Sequence, residues 1–458
     1  MPHDVPQSKP RAVLVGVQLP GVSDDEHASS LAELGRLAKT LGLVVVDRVS
    51  QKRSALAAGA VIGEGKLREL GRATGGSGVV PSGVPAHRRR AEDSSDPDPS
   101  EAYEAEAEDR EAAPTERARI VLVDHEISPS QARNLERATG AEVLDRSAVI
   151  LAIFQRHARS REAALQVEIA RLTYMAPRLR ESGGGKDRQA GGIGGKGAGE
   201  SQIELDRRKV RDRIAELRRE LAAIEKDAAT RRRRRAAQPT VAIVGYTNAG
   251  KSSLMRALTG SEPLVADRLF ATLDTTVRAL QPETKPRVLV SDTVGFIKKL
   301  PHDLVASFRS TLEEAREAAL LLHIVDASDA AFPAQIEVTA EVLRDIDAAD
   351  APRLLVLNKI DKVVEERRAA LAQTYPDAVL MSAKSPADVD RLRTRIVEFF
   401  EQDMIEEEIL VPYAQQRLVS AIHASCRVLA EVCDETGTRL RVRGSPEVMA
   451  RLRAGKDA

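Results

Sequence analysis

Short apolar runs separated by amphipathic stretches fill the first part of the chain. Ala12–Leu19 and Leu43–Val49 have the length and β-branched content of buried strands. Between them Asp24–Leu41 carries helical spacing that stops at Gly42. Ile120–Asp124 predicts another strand. Ser128 then suits a helix N-cap, Pro129 the first helical position and Gly140 the stop, and Ala141–Leu144 opens a further strand. This alternation predicts a small α/β domain over residues 1–160. One stretch inside it, residues 91–116, is acidic, Pro-containing and almost without core-forming side chains, so we expect it to be a disordered insertion.

The period changes over residues 161–235. Leu165, Ile169, Leu172, Ala176 and Leu179 fall at steps of four and three, and so do Val210, Ile214, Leu217, Leu221 and Ile224. That spacing predicts two helices. They are joined by the glycine-rich stretch 182–201, where glycine permits backbone shapes other residues avoid. We expect an antiparallel hairpin with this loop, bearing Lys186, Arg188 and Lys196, at its tip. Arg231–Arg235, at the end of the second helix, reads either as a solvated helix end or as an RNA contact.

Strand–helix alternation resumes over 236–402, with strands expected at Thr240–Val244, Arg287–Asp292, Ala319–Asp326, Arg353–Asn358 and Ala378–Ser382. The pattern is that of a doubly wound parallel sheet. Residues 403–458 form a small C-terminal α+β piece, with a helix expected from Gln415 to about Asp434 and a strand at Thr438–Arg443.

Composition narrows the function classes. The 69 basic residues match the 69 acidic ones, so any nucleic-acid-binding surface must be local. Two cysteines, Cys426 and Cys433, exclude a disulfide scaffold and do not form a zinc pattern. The N-terminus lacks an apolar signal-peptide core, and no apolar run approaches the ~20 residues needed to span a bilayer. We therefore expect a cytoplasmic protein without a membrane span, and a monomer.

The chemistry lies in the second α/β unit. Gly245, Tyr246, Thr247, Asn248, Ala249, Gly250, Lys251 and Ser252 read G-x-x-x-x-G-K-S between a strand and a helix that begins near Ser253. In that context the loop amides and helix N-terminus surround phosphates, Lys251 reaches the β- and γ-phosphates, and Ser252 ligates Mg²⁺. Asp292, Thr293, Val294 and Gly295 follow the next strand. The aspartate suits Mg²⁺ and the Gly295 N–H suits the γ-phosphate. Asn358, Lys359 and Asp361 follow a third strand. The Asp361 carboxylate can accept both the ring N–H and the amine of guanine, a donor pair adenine lacks, which makes such a site selective for GTP and GDP. Ser382, Ala383 and Lys384 follow a fourth strand and offer a backbone donor to the guanine carbonyl. All four motifs sit at strand carboxyl ends, where open parallel sheets bind ligands.

Between the first two motifs lies Phe270-Ala-Thr-Leu-Asp-Thr-Thr276, in which we expect Thr272 to contact Mg²⁺ and the γ-phosphate, with Thr275 and Thr276 as alternatives. Phe296 occupies the position after Gly295, where many GTPases place a water-orienting glutamine, so intrinsic hydrolysis should be slow. Asn248 suits a monovalent cation beside the phosphates, which points to stimulation by K⁺.

Read with the upstream half, these residues resemble the HflX family of GTPases. The marks are Asp124-His-Glu-Ile-Ser-Pro-Ser-Gln-Ala-Arg-Asn134-Leu-Glu136, Asp145-Arg146, Gly191-Gly-Ile-Gly-Gly-Lys-Gly-Ala-Gly-Glu200-Ser-Gln202 leading into Asp206-Arg207-Arg208, Phe270-Ala-Thr-Leu-Asp274 and Asp292-Thr-Val-Gly-Phe-Ile297. The resemblance spans nearly the whole chain outside the acidic insertion. It implies a GTP-hydrolysing switch that binds the large ribosomal subunit and its rRNA and splits stalled ribosomes, with the glycine-rich tip near the peptidyl-transferase centre. It also implies ATP binding by the N-terminal domain, where Gly63-Glu-Gly-Lys66 reads as a helix-starting turn and no Walker motif is visible. Thr275 and Ala198 stand where the family usually has proline. Two other classes fit the residues alone. One is a GTPase of tRNA modification, although no catalytic apparatus for it is visible. The other is a nucleotide-gated RNA-binding module that hardly hydrolyses GTP.

Overall fold

Apolar runs and helix-capping signals place most elements where the sequence predicts them. In the computed structural model, which describes residues 9–80, 117–182, 202–235, 238–260, 269–270, 276–298 and 309–453, the chain divides into two compact units. One is Met1–Arg156 with Val167–Glu216, the other His157–Gln166 with Leu217–Ala458. The acidic stretch 91–116, residues 183–201 of the glycine-rich stretch, and Thr272 and Thr275 lie outside the described residues.

The first unit is built on a four-stranded parallel sheet of order β2-β1-β3-β4. Its strands are β1 (Arg11–Gln18), β2 (Val44–Lys52), β3 (Ile120–Val123) and β4 (Glu142–Asp145). The helices between them are α1 (Asp24–Thr40), α2 (Glu64–Thr74), α3 (Pro129–Thr139) and α4 (Arg146–His157). Alternate residues of β1 feed the two faces. Val13, Val15 and Val17 join a core with Leu67 and Leu70 of α2 and Leu135 of α3, while Ala12 and Leu14 are equally buried on the other side. Both faces of a parallel sheet are buried in this way because its crossover helices cover them. The stop and start signals act as expected. Ser128 forms a reciprocal capping box with Gln131, Pro129 is the first helical residue, and Gly140 closes α3 in the left-handed region at φ +64°. Gly63 caps α2, so Gly63-Glu-Gly-Lys66 is a helix start.

At the carboxyl end of β3 an ion triad is sealed in the core. Arg146 Nη1 donates to Asp124 Oδ1 at 2.6 Å, its Nη2 donates to Glu33, and Ser30 Oγ donates to Asp124 Oδ2 at 2.6 Å. Arg146, Asp124 and Glu33 are 1%, 1% and 3% exposed.

Two long helices follow, α5 (Arg161–Ser182) and α6 (Gln202–Arg235). Arg161 near the start of α5 pairs with Glu220 of α6 at 2.8 Å, while Ala176 and Pro177 near its end share a cleft with Glu204, Arg207 and Arg211 near the start of α6. The pair is therefore antiparallel. Each helix contributes residues to both units.

The second unit holds a six-stranded sheet of order β10-β9-β8-β5-β7-β6. Its strands are β5 (Thr240–Gly245), β6 (Thr276–Ala279), β7 (Leu289–Asp292), β8 (Leu320–Asp326), β9 (Arg353–Asn358) and β10 (Val379–Leu380). The helices α7 (Lys251–Thr259), α8 (Arg309–Arg316), α9 (Phe332–Asp345), α10 (Glu365–Thr374) and α11 (Pro386–Glu401) alternate with the strands. One strand, β6, adds an antiparallel edge absent from the sequence reading, with Thr276 opposite Asp292. Val241, Ile243, Leu320, Leu322 and Ile324 face a core with α7 and α11, and Ala242, Val244 and Leu321 face another with α8 and α9.

The C-terminal piece differs from expectation. The helix predicted from Gln415 to about Asp434 ends early: α12 spans Gln416–Ser425, and Arg427–Asp434 is instead strand β12. With β11 (Ile405–Val411) and β13 (Gly437–Gly444) it forms an antiparallel sheet of order β11-β13-β12, closed by α13 (Pro446–Arg453). Tertiary pairing decides this. Asp434 Oδ1 accepts from Thr436 N at 2.7 Å and from Gly437 N at 3.1 Å, fixing a tight hairpin that lays β12 on β13. Leu418 and Ile422 already supply the helix face that this core needs. Cys426 is buried and Cys433 exposed, and both are free thiols. Among the described residues no helix is long and apolar enough to cross a membrane.

Replacing Arg146 with alanine leaves two carboxylates buried without their guanidinium. The expected cost is about 3–5 kcal/mol in urea unfolding of the first unit, because removing one partner strands the others' charge. A loss below about 1 kcal/mol would mean that the triad is solvated.

Candidate functional site

The four motifs converge at the carboxyl ends of β5, β7, β9 and β10. The loop after β5 turns through left-handed backbone at Asn248 (φ +61°) and Gly250 (φ +100°) before α7 begins at Lys251. A side chain at Gly250 would run into the Asn358 amide, so the close approach of these two loops requires glycine.

Lys251 is 6% exposed, and its ammonium donates to the carbonyls of Gly245 (3.0 Å) and Tyr246 (2.8 Å). Burial pushes its pKa down to about 8, Lys359 adds to that shift, and Asp292 opposes it. Thr247 Oγ1 is buried in the loop with no hydrogen-bond partner among the described residues. An unsatisfied buried hydroxyl there suits a donor meant for a ligand oxygen.

Ser252 Oγ donates to Asp292 Oδ2 at 3.1 Å. A hydroxyl and a carboxylate at a helix start and a strand end are the hard oxygen donors that Mg²⁺ takes, so the residues present fit that ion. Thr293 is anchored away from the loop, its hydroxyl donating to Ile243 O at 2.7 Å. The loop after β7 is stitched to the phosphate loop by two backbone bonds, Phe296 N to Gly245 O (3.1 Å) and Thr247 N to Phe296 O (2.8 Å). Tyr246 OH accepts from Lys298 N at 2.8 Å. Phe296 itself is 1% exposed and packs with Val244, Leu312 and Leu343. Its ring belongs to the core.

At Gly295 an added methyl would lie 2.9 Å from both Lys251 Nζ and Thr247 Cγ2. Val294 is buried beside it, and Ala249 is fully buried.

The base-reading side is braced from below. Asn358 Nδ2 donates to Ala249 O at 2.8 Å, and Asn358 Oδ1 accepts from Ala383 N at 3.0 Å. Lys359, held at φ +60°, donates to Asn248 O at 2.6 Å and to Asp326 Oδ2 at 2.7 Å. Asp361 stays exposed, with Ser382 Oγ donating to its Oδ1 at 2.7 Å, and that hydroxyl bond holds its carboxyl below the ordinary carboxylate range. Ser382 N donates to Asp388 Oδ2 at 2.9 Å. With the Ser382 and Ala383 amides engaged, the Lys384 N–H, in a long 3.3 Å bond to Ser382 Oγ, is the donor this turn offers a carbonyl.

The structure thus brings Gly245 through Ser253, Asp292 through Gly295, Asn358, Lys359, Asp361 and Ser382 through Lys384 to one end of the sheet. Thr272 and Thr275 fall outside the described residues, and Thr276 stands opposite Asp292 in β6. Sequence reasoning missed Asp326, which ends β8 and orients Lys359, and it missed the bracing by Asn358 and Lys359. Asp326 had a visible signal, being a carboxylate at a strand carboxyl end followed by Ser328, whose hydroxyl donates to it at 2.6 Å.

Comparison with known proteins accords with this arrangement. Residues 240–359 match the family described as 50S ribosome-binding GTPase, 157–235 the GTP-binding GTPase middle region, and 28–79 with 104–155 the GTP-binding GTPase N-terminal region. The chain is 58% identical to the GTPase HflX of Gluconacetobacter diazotrophicus over 97% of both chains, and 42% identical to the GTPase HflX of Escherichia coli over 72% of this chain and 78% of that one. A GTP-binding protein of Sulfolobus solfataricus solved with GDP aligns at 23% identity and a TM-score of 0.42, covering 85% of this chain and 98% of the other.

Gly295→Ala should crowd the Lys251 ammonium and cut GTP turnover on the order of 100-fold, since a displacement of about 1 Å at a catalytic group has effects of that size. GDP affinity should change little. Stopped-flow phosphate release with mant-GDP titration checks both, and unchanged turnover would contradict the assigned closeness.

Proposed function

The chain belongs to the HflX family of GTPases and is a GTP-binding GTP hydrolase, and from that premise we propose that it binds the large ribosomal subunit through rRNA contacts and splits or rescues stalled ribosomes while GTP-bound. The observation that carries this reading is the bracing of the base-reading turn onto the phosphate loop by Asn358 and Lys359, within a region that matches a 50S ribosome-binding GTPase family.

In this mechanism the phosphate-loop amides and the start of α7 hold the α- and β-phosphates, and Lys251 balances charge on the β- and γ-phosphates. Ser252 and Asp292, with a threonine of the 272–276 segment, hold Mg²⁺. When bound, the ion neutralises charge on the phosphate oxygens. The Gly295 N–H meets the γ-phosphate, so the loop after β7 reads whether that phosphate is present. Asp361, oriented by the Ser382 hydroxyl, accepts from guanine. Because the Phe296 ring is buried in the core, the group that orients the attacking water comes from elsewhere, from the partner or from K⁺ held near Asn248. That arrangement keeps the switch slow until it is docked. We place its work in the cytoplasm.

Lys251→Ala should abolish GTP hydrolysis. Asp361→Asn should shift preference towards xanthosine nucleotides, since an amide now donates where the carboxylate accepted. Retained GTP selectivity in that variant would contradict the role given to Asp361. Hydrolysis should be faster in potassium than in sodium chloride, and equal rates would remove the cation from the scheme. Sucrose-gradient sedimentation with a non-hydrolysable GTP analogue and with GDP tests the partner. Co-migration with large subunits should require the analogue, and nucleotide-independent absence from that fraction would sink the ribosomal reading.

A further inference from the structure

The hairpin carries a cleft that the nucleotide chemistry does not use. It has a volume of about 420 Å³ and is lined by Ala176 and Pro177 of α5 and by Glu204, Arg207 and Arg211 of α6. Pockets that seat small ligands run from roughly 300 to 1,000 Å³, so there is room for a single nucleotide and little more. Small and ring-shaped residues keep the α5 wall low. Pro177 also lacks an N–H, so the Thr173 carbonyl loses its usual helical donor.

The α5 wall is held firmly. Asp145, ending β4, accepts from Tyr174 OH at 2.7 Å and from Arg178 Nη2 at 2.8 Å. Arg178 also donates to Ile127 O at 3.2 Å, and its guanidinium lies 3.5 Å above the Tyr174 ring. The residues on either side of Ala176 and Pro177 are thereby tied to the carboxyl end of the first unit's sheet.

The α6 wall is distinguished by its charges. Neighbouring cations are already matched: Lys209 pairs with Asp206 at 3.3 Å and Arg213 with Glu216 at 2.6 Å. Arg207 and Arg211 form no ion pair among the described residues, and Arg207 Nε is buried with no hydrogen-bond partner there. Four residues apart, they lie on one helix face. Two guanidiniums against the one carboxylate of Glu204 leave the cleft cationic. A planar, weakly hydrated guanidinium both forks a phosphate and stacks on a base, the two contacts that single-stranded RNA offers once its bases are splayed out.

We propose that this cleft seats one unpaired nucleotide of ribosomal RNA, its phosphate and base face held by Arg207 and Arg211. The proposal rests on the ribosomal reading above and deepens it. The Asp145 clamp makes Tyr174 and Arg178 positioning residues, since they fix the wall against which the nucleotide lies.

The test uses full-length protein with the non-hydrolysable GTP analogue and purified large subunits. Arg207→Ala/Arg211→Ala is compared with Arg218→Ala/Lys226→Ala, which removes the same charge from exposed positions of α6 away from the cleft. The cleft variant should bind subunits about tenfold more weakly or worse. Its slope of log affinity against log salt should fall by about 1.4, from two lost contacts at about 0.7 each. Its intrinsic GTP turnover and its melting temperature should match the wild type, and the control should keep wild-type affinity. A single-stranded RNA 12-mer should compete for wild-type binding where polyglutamate does not. Equal subunit binding by cleft variant and wild type would overturn the cleft while leaving the ribosomal reading intact. Equal weakening of cleft variant and control would reduce the effect to net charge and overturn it as well. Competition by polyglutamate alone would assign the cleft to an acidic protein segment instead. If wild-type protein does not bind subunits at all, both readings fall together.

Discussion

Two side-chain bonds hold this nucleotide site in register. The Asn358 amide reaches the Ala249 carbonyl, and the Lys359 ammonium reaches the Asn248 carbonyl, so the turn that reads the base hangs directly from the loop that grips the phosphates. Neither bond touches a ligand, yet together they set the span between Asp361 and Lys251. The cost is visible in the backbone. Asn248 and Lys359 both adopt the left-handed region that non-glycine residues avoid, and such strain persists only where surrounding contacts over-determine it. Here the contacts are the bonds themselves, together with the Asp326 carboxylate that pins Lys359 from the neighbouring strand.

The second stitch lies on the other side of the phosphate loop. Backbone bonds between Gly245, Thr247 and Phe296 attach the segment that senses the γ-phosphate, while the buried Phe296 ring anchors that segment to the core. A residue that GTPases often spend on water is used here for packing. Catalytic completeness is thereby handed to something outside the fold, which is what a switch that fires only on its target requires.

The first unit follows the same economy. Asp124 and Asp145 end adjacent parallel strands, and each carboxylate is committed, one to Arg146 and Ser30, the other to Tyr174 and Arg178. Parallel strands deliver side chains to one end of the sheet, and here that end serves as an anchor for helices: the triad binds α1 to α4, and the Asp145 clamp binds the long helix α5 to the sheet. The motif residues that mark the family in this half act in the structure as joints.

The amino-acid sequence alone determined the nucleotide motifs, because phosphate loops, metal-holding aspartates and base-reading carboxylates are local patterns tied to strand ends. It also determined the helix caps at Ser128 and Gly140 and the heptad steps of α5 and α6, which depend on neighbours within a few residues. Only the tertiary structure decided what depends on distant partners. Arg427–Asp434 became a strand because the hairpin at Asp434 offered it β13, although its apolar residues also suit a helix. The antiparallel edge β6, the burial of Phe296, the role of Asp326 and the pairing of Arg146 with residues 22 and 113 positions away are contacts that no local window of sequence contains.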